Sequence, residues 1–186
     1  TACGIAEYSA CQMHQLIESD EVHLTIYCDT RTHDPGESVH VAWRVGETQT
    51  VTDLIRSFET TSPDILMVQH QPSLFQLNQA VCRDLAAIQE TGTVVILELH
   101  STKQLLVELD FAPEMARALR QLDRIVVHSP NGLNDLFELG VSDNAMFLPL
   151  GVNDMPPNGH VYPKVTRSNL GIPDTALVPQ DYSVQH

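Results

Sequence analysis

The sequence predicts an α/β domain: a Rossmann-like, doubly wound, mostly parallel sheet with helices on both faces. Three observations carry that expectation. Short continuous apolar runs recur, namely ILMVQH (65–70), TVVILELH (93–100), RIVVHS (124–129) and AMFLPLGV (145–152), each of buried-strand length. Amphipathic helical stretches lie between them, and that alternation is the mark of βαβ units. Runs without polar alternation belong to parallel strands covered on both sides. Crossovers between such strands are right-handed.

The elements follow in order. Ala6, Ala10, Met13 and Ile17 repeat at helical spacing, so a first helix starts inside the turn CGIAEY (3–8). Val22 to Cys28 reads as a strand, and DTRTHDPGES (29–38) as a polar loop around a Pro-Gly pair. Val39, Val41, Trp43 and Val45 share one face, which suits a half-covered strand near a sheet edge. Val51, Leu54, Ile55 and Phe58 mark an amphipathic helix. Leu77, Ala80, Val81, Leu85 and Ile88 mark the next, another restarts at Pro113, and Leu133, Leu136 and Phe137 mark the last. Proline suits a first helical turn, where its missing N–H costs nothing. Residues 1–153 are therefore expected to form the domain, with its first strand missing. Prolines at 156, 157, 163, 173 and 179 make 154–186 a linker or tail.

Composition narrows the function. The chain has 186 residues, 42% of them hydrophobic, enough for one globular core. Its formal net charge of −14 repels phosphate backbones, so nucleic acid is an unsuitable partner. No apolar run reaches the length of a membrane span, and no export leader is visible, so a cytoplasmic location is expected. Cys3, Cys11, Cys28 and Cys82 form no CxxC pair and read as free packed thiols.

In open α/β sheets, ligands bind beyond the carboxyl ends of the strands. Three successive strands here end in His70, His100 and His128. His70 with Gln71, and His100 with Ser101, lead into polar loops facing one cleft. His128 is equally well read as a strand-end residue bonded to loop backbone, because Ser129-Pro130-Asn131 resembles a helix cap. No carboxylate cluster accompanies the histidines, and no metal site is expected. His14, His23, His33, His40, His160 and His186 read as surface residues. Gly4 allows close approach of backbone N–H groups to an anion. Glu7 suits the first-turn helix dipole and Tyr8 suits packing. Neither GxGxxG nor a P-loop is present.

Six segments together resemble retaining glycosyltransferases of family 4, with the GT-B fold. They are CGIAEYS (3–9), DILMVQHQPSLF (64–75), VVILELHST (94–102), LDRIVVHSPNGLNDLFELGV (122–141), FLPLGV (147–152) and NLGIPDTALV (169–178). The resemblance spans nearly the whole chain, in the family's order. It implies the N-terminal, acceptor-side domain of an enzyme moving a hexose from a nucleotide-diphosphate sugar to a saccharide or lipid-linked acceptor. It implies no metal or other cofactor, and a C-terminal donor-binding domain beyond this chain. It implies His100 at the transferred sugar as the catalytic residue. Gly4, Ile5, Glu7 and Tyr8 would lie against donor or acceptor, His70 and Gln71 on the acceptor side, and Ser101 and Asn131 on the cleft wall. Two positions depart from the family pattern: Ala2 stands where it often has Arg, and Leu150 where it often has His. The enzyme would work in the cytoplasm, up to the inner face of the membrane. The competing expectation is a non-catalytic Rossmann-like module that pairs with another chain.

Overall fold

The structure is a computed structural model that describes residues 4–17, 19, 21–29, 39–43, 58, 62–103, 105 and 113–151. Its elements are α1 (Gly4–Ile17), β1 (Ile26–Asp29), β2 (Val39–Trp43), β3 (Ile65–His70), α2 (Gln79–Glu90), β4 (Val94–Leu99), α3 (Pro113–Gln121), β5 (Arg124–Val127), α4 (Pro130–Glu138) and β6 (Ala145–Phe147). The expected α/β fold is present. Strands β3-β4-β5-β6 form a parallel sheet in that spatial order and alternate with helices, as in a Rossmann-like fold. Strands β1 and β2 pair with each other, also in parallel, as a separate two-stranded sheet among the described residues. The tail expected from 154 onward, and the helix expected over 51–58 apart from Phe58, lie outside the described residues. Phe58 is helical and buried.

Local chemistry sets the element ends. Asn78 caps α2, its Oδ1 accepting from the Val81 N–H at 3.0 Å. Ser129 caps α4, its Oγ accepting from the Gly132 N–H at 3.0 Å, and Pro130 opens the helix as expected. Gly140 closes α4 with φ +71°, a left-handed conformation that glycine adopts without strain. Its N–H donates to the Phe137 carbonyl at 2.9 Å and the Val141 N–H to Leu136 at 2.8 Å, the paired bonds of a Schellman ending. Strand β6 is shorter than its apolar run. The Leu148 N–H still donates to the Val127 carbonyl at 2.9 Å, but Pro149 next has no N–H to continue the ladder. Strand β1 starts at Ile26 and not at Val22, because only 26–29 finds a pairing partner.

Register divides the sheet into two chemically different faces. Side chains alternate along a strand, and parallel partners share a face. Leu66, Val95, Leu97, Leu99, Ile125 and Val127 lie on one face, and all are buried. They belong to a single core with Cys82 and Leu85 of α2, Met115 and Leu119 of α3, and Leu136 of α4. The other face carries Ile65, Met67 and Val94, all exposed, then Gln69, Glu98 and Val126 toward the carboxyl ends. It is therefore not covered along its whole length, as continuous apolar runs suggest it should be. Phe137, read as a core position of α4, is 49% exposed. Among the described residues, no helix is long and apolar enough to cross a membrane.

Candidate functional site

The mixed face ends in a polar cluster. Gln69 of β3 pairs with Glu98 of β4, and Glu98 with Val126 of β5. Two residues further on, His100 and His128 therefore stand side by side on the Glu98 face. Their ring centroids are 4.8 Å apart. Helix α1 supplies a lid of side chains. Tyr8 packs edge-on to both rings, with centroids at 5.4 Å from His100 and 5.6 Å from His128. Gln12 lies one turn further along α1, the i+4 spacing that keeps both residues over the cluster.

Hydrogen bonds tie the cluster together. The Tyr8 hydroxyl donates to Glu98 Oε1 at 2.8 Å, and Gln12 Nε2 donates to the Tyr8 oxygen at 2.8 Å. Gln69 Nε2 donates to Gln12 Oε1 at 2.9 Å and to Glu98 Oε2. His100 Nε2 lies 2.6 Å from Gln69 Oε1. His128 Nδ1 lies 2.9 Å from the Leu148 carbonyl, whereas its Nε2, 2.9 Å from Glu98 Oε1, is close to the carboxylate without making an aligned hydrogen bond to it. Glu98 is thus a carboxylate with 2% exposure, surrounded by donors. A buried charge needs such partners, since its desolvation otherwise costs several kcal/mol.

Burial and charge tune the cluster. Tyr8 is pushed up to about 12, first by burial and then by the adjacent Glu98 carboxylate. His100 is lowered, first by burial and then by His128, with Glu98 opposing. At neutral pH the cluster therefore holds a phenol that keeps its proton and a neutral imidazole that can accept one.

Not every residue expected at the site joins it. His70 pairs in register with Leu99, so it faces the core, opposite to His100. It is 2% exposed, its Nε2 is 3.1 Å from the Phe75 carbonyl, and its ring packs edge-on to Phe75. Burial lowers it to about 4. The Gln71 carbonyl accepts from the Leu74 and Phe75 N–H groups in the turn after β3. Ser101 is half-buried beside His100, and Asn131 is exposed in the first turn of α4. Gly4 is exposed at the start of α1, and a Cβ there would meet nothing within 4 Å. Ile5 is half-buried one residue on, and Glu7 lies in the same turn. His14, His23 and His40 are exposed, as expected. Cys11 and Cys28 are half-buried and free, and the free Cys82 thiol is pushed up to about 12 by burial.

Sequence reasoning missed Glu98, Gln69 and Gln12, and left His128 evenly divided between the cleft and a bond to loop backbone; its Nδ1 does meet the Leu148 carbonyl, and its ring also joins the cluster. The carboxylate judged absent from the histidines is Glu98, which contacts His128 directly. Its signal was present: a charged residue inside the run VVILEL, two positions before His100 and so on the same strand face.

Comparisons with family models, with curated proteins and with solved structures return no match.

Proposed function

We propose that this chain is the acceptor-side domain of a retaining, sugar-nucleotide-dependent glycosyltransferase that transfers a hexose to a saccharide or lipid-linked acceptor. One observation supports the reading above the rest. Tyr8 from the CGIAEY turn, His100 from the VVILELHST segment and His128 from the RIVVHS segment meet in one cluster. Three segments that resemble the same family thus converge where open α/β sheets bind ligands. In the reaction, the bond from the anomeric carbon to the diphosphate oxygen breaks. The acceptor hydroxyl oxygen bonds to the same face of that carbon and passes its proton to the departing diphosphate oxygen. His100, held by Gln69, orients hydroxyls of the transferred sugar. Charge on the departing diphosphate is met by helix N-termini and basic groups. A donor-binding domain completes the cleft.

The second reading, a module that pairs with another chain, draws support from a different place. Met146, Phe147, Leu148 and Leu150 are all exposed around β6, at one edge of the sheet. Saturation-transfer NMR with a panel of nucleotide sugars and oligosaccharides separates the two, because it registers millimolar binding. The enzyme reading expects saturation of one sugar class, lost in His100→Ala while the variant stays folded, within roughly 1 kcal/mol of the wild-type stability. No saturation by any member, with self- or partner association through β6, favours the module.

A further inference from the structure

The protons of the cluster can be assigned from its partners. A carbonyl only accepts, so His128 Nδ1, 2.9 Å from the Leu148 oxygen, carries a hydrogen. A carboxylate also only accepts, so the Gln69 amide nitrogen faces Glu98 and its oxygen faces His100. His100 Nε2 is then a donor as well, and Nδ1 is the His100 nitrogen with a lone pair. On His128 the remaining nitrogen is Nε2. The His128 side chain is 7% exposed, and among the described residues this atom has no hydrogen-bond partner. Glu98 Oε1 is only 2.9 Å away, yet off the line that a ring N–H would take. A buried nitrogen beside a buried carboxylate, with neither an aligned proton nor another partner, is the arrangement a cation completes.

We propose that Glu98, His100 and His128 form a three-ligand site for a borderline-soft divalent ion of the Zn²⁺ type, with one coordination position open. One donor atom from each residue lies within 4.8 Å of the others. Ligand atoms at Zn–N and Zn–O distances of about 2.0–2.1 Å stand about 3.4 Å apart in a tetrahedron, so binding draws the three inward by about an ångström. Two imidazoles and one carboxylate suit Zn²⁺ and its transition-metal neighbours, whereas Mg²⁺ and Ca²⁺ favour all-oxygen sites. The outer partners are also those of a metal site. Each histidine gives its other N–H to an oxygen acceptor, Leu148 for His128 and Gln69 for His100, which fixes tautomer and ring orientation. Tyr8 and Gln69 hold the carboxylate in the same way. This site rests on side-chain geometry alone, and it bears on the glycosyltransferase reading: with Gln69 on Nε2 and the ion on Nδ1, the His100 ring has no nitrogen left to orient a sugar hydroxyl while the ion is bound.

The test is Zn²⁺ titration of the full chain, stripped with chelator, at neutral pH. Calorimetry is expected to give one ion per chain at micromolar Kd or tighter. His128→Ala and Glu98→Gln should each weaken it at least ~100-fold, while His23→Ala, at an exposed histidine, leaves it unchanged. Long-range ¹H–¹⁵N spectra of the wild-type imidazoles need no variant to fold. Zn²⁺ should move the His128 Nε2 and His100 Nδ1 resonances and leave His70 alone. Stoichiometric binding that survives His128→Ala overturns the site. So does a wild-type Kd weaker than millimolar. A doubly protonated His128 ring indifferent to Zn²⁺ also overturns it, and would make Glu98–His128 an ordinary ion pair.

Discussion

Tyr8 shows how one side chain can carry structure and chemistry together. Its hydroxyl is one of the donors that make a buried Glu98 tolerable. Tyr8→Phe removes that donor and leaves the ring, so unfolding stability should drop by about 1–3 kcal/mol, read by urea denaturation. An unchanged midpoint would mean that Glu98 gains nothing from the phenol. In the wild type, one of the four tyrosines should resist ionisation until about pH 12 in an ultraviolet titration, and Tyr8→Phe should abolish that late phase. His100→Ala addresses the proposed transfer reaction. It removes a half-buried ring bonded through one nitrogen, so turnover of the enzyme completed by a donor-binding domain should fall about 100-fold or more while stability changes by roughly 1 kcal/mol. Parallel loss of both would return His100 to a packing role. His70 has the opposite character. Folding holds it neutral down to about pH 4, against 6.5 for an unperturbed ring. Between those values the unfolded chain binds a proton that the folded chain does not. Stability is therefore full above pH 6.5 and falls as pH drops toward 4, by about 2 kcal/mol at pH 5. Urea midpoints across that range should flatten in His70→Phe, and an unaltered slope would assign the effect to other groups. Of the three strand-end histidines, sequence placed His70 and His100 on one cleft and left His128 open. Counting residues back from each strand end could not reveal that β3 ends one residue out of phase with β4, which turns His70 to the core.

At the scale of elements, the joints between strands and helices are set by a few polar side chains. Asn144 precedes β6 and is buried. Its Nδ2 donates to the Leu119 carbonyl at 2.8 Å and the Leu122 carbonyl at 2.7 Å, stitching the end of α3 to the entry of β6. Asn144→Ala leaves two buried carbonyls without that donor and should cost about 2–3 kcal/mol, again measured by denaturant unfolding. A cost below about 0.5 kcal/mol would show that water replaces the amide there. Asp123 serves the neighbouring joint, its Oδ2 accepting from the Val95 N–H at 2.8 Å. Helix starts were legible because their chemistry is local: Ser129-Pro130 and Pro113 each announce a first turn. Strand ends were less so. An apolar run does not record where its partner stops, which is why β1 and β6 are shorter than their hydrophobic segments.

For the molecule as a whole, the alternation of apolar runs and amphipathic helices sufficed to identify the parallel sheet and its core. It did not distinguish the sheet's two faces. Ile65, Met67 and Val94 are as apolar as Leu66, Val95 and Leu97, yet exposed. Only pairing register separates the two sets and shows that Glu98, His100 and His128 share a face with Gln69 under Tyr8. Under the proposed function, this cluster meets a sugar substrate. The most direct measurement is an imidazole-resolved ¹H–¹⁵N NMR titration of the chain with nucleotide sugars and oligosaccharides. One ligand class is expected to move the His100 and His128 ring resonances together and to leave buried His70 unmoved. Binding that perturbs neither ring, or the absence of binding by every ligand, would contradict it.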